Sequence, residues 1–470
     1  MIKSAMVAMV VLGCDCDAKM CEFIRETPAQ WSTVAECEAA LRHQTLTSGQ
    51  ILINDGTSDG DSTGILVQAG NGAAAGGGAI NIDTGTVGIG LVGNRIDGDG
   101  LKVVGGTGLV TAVTGGAIFA SKTVAGAHGI DITSFGGVKL TTNATVSGDP
   151  GVTITDNSAL GIDYKANANV DGAAGGIITK EDGAGPTIVT VGAAVTAIEG
   201  DSDANNVGDG VNLDSNAGGA ITFTNTAGTS TVHGGNGIIA DVSVGNGAIN
   251  IGQKGATTAT AGVGVSANTP GSGPIEIVTG PVDATTGGMS GSCAGGSVIN
   301  VTNNGAVTTT GGIGINATSS GGAGGDVTVT SNANVSGVTF GINATTAGAG
   351  ADVTVDAKNT TLVKASGGTG INDLTTLGNV DIDATAVTGT GGSGIVGKST
   401  GGGLVDIKAT GAVLGTAGVG IDGQATGGSG NVIVDATNTV KGSTIGINAT
   451  AVGTGTVDVN AASTVEGTTK

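Results

Sequence analysis

Over most of the chain, apolar residues recur at every second position in short runs separated by glycine. In GIGINATSSGGAGGDVTV (312–329), Ile313, Ile315 and Ala317 alternate with Gly314 and Asn316. The same order returns at Phe340, Ile342 and Ala344 around Gly341 and Asn343, and again at Ile445, Ile447 and Ala449. A second alternating run follows each time: Val327 and Val329, Val353 and Val355, Val380 and Ile382, Val405 and Ile407, Val432 and Val434, Val457 and Val459. A third, weaker run has the form of Ala333 to Gly337. A period of two predicts strands with one apolar and one polar face, not helices. The intervening glycines supply turn conformations at no steric cost.

These runs belong to a longer repeat. GIN occurs at Gly314, Gly341, Gly370 and Gly446, and GID at Gly420; looser copies start at Gly237, Gly264, Gly288 and Gly394. Earlier starts read at Gly64, Gly90, Gly108, Gly129, Gly151, Gly176 and Gly210, which makes sixteen in all. Two or three short strands per repeat of about 25 residues cannot bury an apolar face alone, but stacked coils can. The pattern therefore predicts an all-β fold: a parallel β-helix solenoid of about 16 coils over residues 48–470. Asn316, Asn343, Asn372 and Asn448 occupy matching places near the turns, where an amide ladder from coil to coil is expected. Read as glycosylation sequons, the Asn-Ala-Thr triplets carry less weight.

Composition narrows the function. Gly (94) and Pro (6) make up about a fifth of the 470 residues, under the level of low-complexity chains. The mean hydropathy of +0.27 argues against disorder. Seventeen basic residues face 38 acidic ones, a net charge of −21, so no nucleic-acid partner is expected and anionic membrane surfaces would repel the chain. With one Trp and one Tyr, the core must be narrow and aliphatic.

The N-terminus differs from the rest. MIKSAMVAMVVLGC has one lysine and an apolar run from Ala5 to Leu12, too short to span a bilayer but suited to an export signal over residues 1–13. Val11-Leu12-Gly13-Cys14 resembles a bacterial lipobox, which implies lipidation at Cys14. Residues 14–47 form a cysteine-containing segment, in which Thr33 and Glu36 read as the capping box of a short helix through Arg42. Cys14, Cys16, Cys21 and Cys37 allow two disulfides in any of three connectivities in an oxidising compartment. A zinc site is the alternative, although the spacing matches no standard ligand pattern.

Motifs with chemistry are few. GGAGGDVTV (321–329) nearly spells the calcium nonapeptide of β-rolls, but it recurs once per coil, not in tandem, and Thr328 stands where a large apolar residue is required. It reads as a glycine turn entering a strand. EGDSDANNVGDGVN (199–212) sets Asp201, Asp203, Asn205 and Asp209 at EF-like positions, making calcium the one cofactor to consider. Asn206 replaces its turn glycine and Asn212 its bidentate glutamate, so a solvated acidic loop is the default. Asn54–Ser62 is a weaker version. A polysaccharide-cleaving β-helix needs clustered carboxylates or a basic proton acceptor, and aromatics for sugar stacking. Beyond residue 47 there is one arginine, Arg95, and one tyrosine, Tyr164, so no catalytic residues are assigned. The serines of the two GDS triplets lack a base; His128 and His233 read as exposed loop residues, and Cys293 as an inert thiol in a Gly/Ser turn. Asp352, Asp356, Asp381, Asp383, Asp406, Asp435 and Asp458 should project from the second strands and oppose sideways aggregation. The column Thr328, Thr354, Asp381, Asp406, Ile433, Asp458 is too mixed for an ice-binding face.

In texture, GIGINATSSGGAGGDVTV and GINATTAGAGADVTVDA resemble the passenger domains of Gram-negative autotransporters. The resemblance covers roughly residues 48–470 and rests on repeat style, not on a diagnostic motif. It implies a right-handed β-helix, secreted or exposed at the outer membrane, acting as a stalk or adhesin toward an unidentified surface ligand. It also implies an outer-membrane translocator barrel as partner, which these 470 residues do not contain. The functional expectation is a non-enzymatic surface scaffold. The alternatives are a polysaccharide-active enzyme and a calcium- or ice-binding solenoid.

Overall fold

The computed structural model describes residues 12–14, 21–23, 50–51, 63–69, 78–92, 95–200, 208–322 and 324–468. The expected short helix near residues 33–42 and the side chains of Cys14, Cys16, Cys21 and Cys37 lie outside what is described. Leu12–Cys14 pairs antiparallel with Cys21–Phe23, which sets Cys14 opposite Cys21 in backbone register.

Every other named strand belongs to one of three parallel sheets, two of fifteen strands and one of sixteen, wound as a β-solenoid of about fifteen turns. Each coil contributes one strand to each sheet in chain order, as in Ile315–Ser319, Val327–Ser331 and Val335–Gly337. These are the three runs read from the sequence. Each strand pairs with its copies one coil before and after: Ile315 with Met289 and Ile342, Val327 with Ile299 and Val353. The axial spacing of paired strands, about 4.8 Å, makes fifteen coils a rod of roughly 70 Å.

The inward positions stack into continuous columns. Ile315, Ala317, Val327, Val329 and Val335 are each at most 1% exposed, and their counterparts in neighbouring coils are equally buried. Tyr164 and Phe223 add two rings to this aliphatic interior, the tyrosine hydroxyl meeting Thr142 Oγ1 at 3.1 Å.

Two details correct the sequence reading. First, the alternation starts one residue later than expected. The glycine of GIN, not the residue before it, turns inward, so Ile313 and Phe340 are only partly buried and Ile445 is 47% exposed. A Cβ on Gly314 would stand 2.5 Å from Gly341 O and 2.6 Å from Val335 Cγ1, so only glycine fits at this corner. Second, Gly90 and Gly108 do not begin coils. Gly90 follows the third-sheet strand Gly88–Ile89, and Gly108 precedes the second-sheet strand Val110–Thr114. The start in that region is Gly100, because Leu101 pairs with both Ile65 and Ile130. Long connections in the first coil hide this from a count of glycines.

Candidate functional site

The outer surface is made of polar columns that bond along the axis. On the first sheet, Asn343 Nδ2 donates to Asn316 Oδ1 and Asn372 Nδ2 to Asn343 Oδ1, both at 2.8 Å. Asn448 Nδ2 donates to Asp422 Oδ1 at 2.6 Å. The expected amide ladder therefore exists from Asn316 to Asn372; Val396 follows in the same register and breaks it, so Asn448 joins the carboxylate of Asp422 and not another amide. Each Asn is the second or fourth residue of its strand and faces outward. Ahead of the second sheet a further ladder runs through Asp326 Oδ1 to Asp352 N–H (3.0 Å), Asp352 Oδ1 to Asn379 N–H (2.7 Å) and Asn379 Oδ1 to Leu404 N–H (2.9 Å). Asp326 is the aspartate of GGAGGDVTV. Its carboxylate accepts a backbone N–H of the next coil, and nearby Gly324 takes a left-handed φ of 75°.

The acidic residues of the second strands face outward, as expected. Thr328, Thr354, Asp381, Asp406, Ile433 and Asp458 form one register column. Partial burial, then the neighbouring Asp383 and Asp406, raises the Asp381 carboxyl above its ordinary value. Burial, followed by Asp435 and Asp383, does the same to Asp406. Lys408 interrupts the adjacent column between Asp383 and Asp435. A cleft of about 200 Å³ lies among Asp352, Asn379, Asp381 and Asp406. A larger groove of about 320 Å³ runs across the C-terminal ends of consecutive first-sheet strands, lined by Thr318, Thr345, Thr376 and Thr400 with Leu374 and Lys398.

A column at the inner end of the first strands was missed in the sequence. Its members Ser319, Thr346, Thr375 and Ser399 donate to turn carbonyls of Ser297, Gly325, Ala351 and Gly378 at 2.8–3.2 Å. Cys293 belongs to this column, not to a turn: it ends the strand Gly287–Cys293, is fully buried, and sets Sγ 3.0 Å from Gly271 O. Further toward the N-terminus the same column holds two carboxyls in register, Asp156 and Glu181, both 0% exposed. Asp156 accepts from Gly137 N–H at 3.0 Å and from Ser158 Oγ at 2.6 Å. Glu181 Oε1 accepts from Gly183 N–H at 2.8 Å, while Oε2 has no partner. Burial, then the charge of Asp156, pushes the Glu181 carboxyl up to about 8. Asp373 is a third such group. It is 0% exposed between Ala344 and Gly397, neither oxygen has a partner, and burial raises its carboxyl well above the usual range. Aligning GINDL with GINAT places Asp373 at the inward alanine, a signal the sequence did contain.

His128 and His233 prove to be held side chains, not free loop residues. His233 lies in the third-sheet strand Thr231–Gly234, with Nδ1 2.7 Å from Glu199 Oε2. His128 sits at the corner before Gly129, with Nδ1 2.7 Å from Asp99 Oδ1. Lys102 Nζ bridges Asp99 Oδ2 (2.7 Å) and Asp131 Oδ2 (3.0 Å). Burial opposes ionisation of Asp99, but hydrogen bonds from His128 and Lys102 outweigh it and hold its carboxyl below the ordinary value. Burial likewise works against charge on His128, yet the Asp99 hydrogen bond and the charges of Asp131 and Asp99 raise it. Sequence reading could not assemble this cluster, because the coil start at Gly100 was not recognised.

Of the EF-like loop, Asp201, Asp203 and Asn205 lie outside the described residues. Asp209 accepts amide hydrogens from Asn236 (2.8 Å) and Asn212 (3.1 Å), so its oxygens already serve the solenoid corner. Arg95 and Tyr164 also have structural posts. Arg95 Nη1 donates to Ala120 O (2.9 Å) and Ser147 Oγ (2.7 Å) beside the Phe119 ring, and Tyr164 is wholly internal. No family model, curated protein or solved structure matches the chain.

Proposed function

We propose that the chain is a non-enzymatic β-helical stalk or adhesin-type scaffold, secreted or displayed at a cell surface in the manner of an autotransporter passenger. The observation that carries this reading is the unbroken register of the sheets, in which strands from Ile65–Gln68 to Ile447–Ala451 pair in sequence. Strands repeating at the hydrogen-bonding distance resist bending and compression, which suits a spacer. The outer ladders support it further, since Asn316, Asn343, Asp326 and Asp352 use their polar atoms to join coils. The structural posts of Arg95 and Tyr164 weigh against the sugar-cleaving alternative. On this reading an outer-membrane translocator barrel exports the rod, and any adhesive ligand binds its outer columns.

The test is to display the array on cells through a membrane anchor, with an epitope at its far end, and to delete whole coils. Epitope stand-off should fall by about 5 Å per coil removed. A stand-off independent of coil number would overturn the stalk reading, and release of reducing ends from polysaccharides by the purified chain would establish the enzymatic one.

A further inference from the structure

Two successive coils bring a mixed set of metal-ligating groups to one corner of the solenoid. Asp99 and His128 each precede the glycine that opens a coil, Gly100 and Gly129, and Asp131 is the second residue of the strand Ile130–Ser134. One ligand atom from each of the three lies within 4.8 Å of the others. Two features mark this as a cation position and not merely a patch of acid. The set includes an imidazole, and the space between the carboxylates is already filled by the Lys102 ammonium, 2.7 Å from Asp99 and 3.0 Å from Asp131. Asp99 is also held in place, because the Oδ1 that meets the imidazole accepts the His128 backbone N–H as well, at 3.1 Å. Lys102 is the mobile member: its side chain is 38% exposed, on a flexible stem that can carry the ammonium into solvent without moving the sheet.

We propose that Asp99, His128 and Asp131 bind one divalent cation of the zinc class, and that Lys102 is the internal cation which this metal replaces. One imidazole nitrogen with two carboxylates suits zinc, cobalt or nickel, with water completing the coordination. Calcium, which takes six to eight oxygens, is served poorly by this set. On binding, the Lys102 ammonium moves to solvent still charged, and any His128 imidazolium gives up its proton so that the neutral ring can ligate. The metal would clip together the coils that begin at Gly100 and Gly129, stabilising that end of the rod through ligand linkage.

The probe is zinc chloride, titrated calorimetrically into the full chain with Cys14, Cys16, Cys21 and Cys37 changed to serine, so that thiols do not contribute. The expected result is one zinc per chain. His128→Ala and Asp131→Asn should weaken binding by about tenfold or more, and Lys102→Met should tighten it by about tenfold. Circular dichroism checks that each variant keeps its sheet. The unsubstituted site offers an independent readout: the chain has three histidines, and the ring signals of His128 should shift on zinc addition. An absence of zinc binding in the Lys102→Met chain, or zinc binding that leaves the His128 ring signals unmoved, would overturn the proposal.

Discussion

Replacing Glu181 with glutamine should remove a pH-dependent weakness from the middle coils. Glu181 is buried beside Asp156, with Asp182 following it and Lys180 directed outward to Asp182. Its carboxyl is raised from an ordinary value of 4.5 to about 8, so between those limits the folded chain holds a proton that the unfolded chain has released. Stability must therefore fall as pH rises through this window, by at most about 1.4 kcal/mol per pH unit. Across the whole window the loss is on the order of 4 kcal/mol, and above pH 8 the slope disappears. Glutamine keeps the shape and cannot ionise, so Glu181→Gln should flatten the profile and leave the variant the more stable chain at pH 8. A solenoid does not unfold as a single two-state unit, so the readout should be local. Amide hydrogen exchange of the strand Gly175–Glu181, corrected for intrinsic rates, gives its opening free energy from pH 5 to 8. Equal slopes for the two chains over that range would refute the reasoning.

Asp373→Ala should stabilise the chain at pH 7 by about 1–3 kcal/mol, the cost of an unpartnered buried polar group, as read by exchange in the strand Thr369–Thr375; a destabilised variant would imply a partner for Asp373. Gly314→Ala should cost about 1–3 kcal/mol, because its Cβ meets the Gly341 carbonyl at 2.5 Å, as read by amide exchange in the strand Ile315–Ser319; unchanged protection would mean that the coil yields. Asn343→Ala breaks two rungs of the amide ladder and should cost about 1–2 kcal/mol, with faster exchange in the strands on either side. The coil of Val457 and Val465, 46% and 41% exposed, should exchange faster than the coil of Val432 and Val440, both fully buried; equal protection would mean that something covers it.

Alternating Ile, Val and Ala between glycine turns were enough to specify three short strands per coil, an all-β solenoid and an aliphatic interior. This follows from geometry: a period of two separates the faces of a strand, and strands this short bury a face only by stacking. The Asn316–Asn343–Asn372 ladder was legible because the GIN triplet marks the same place in each coil, although the intervals are 27 and 29 residues. Tertiary structure decided whatever depended on register between unequal coils. The 36 residues from Gly64 to Gly100 break the interval and hide the start at Gly100, so no count along the chain could bring Asp99, His128 and Asp131 to one corner. Asp156 and Glu181, each five residues after a recognised start, could be aligned by count, but only the fold shows both carboxyls buried. Local pattern assigns a residue to a face, but which residue lies above it is set by backbone pairing between coils, and loop length shifts that pairing without changing the pattern.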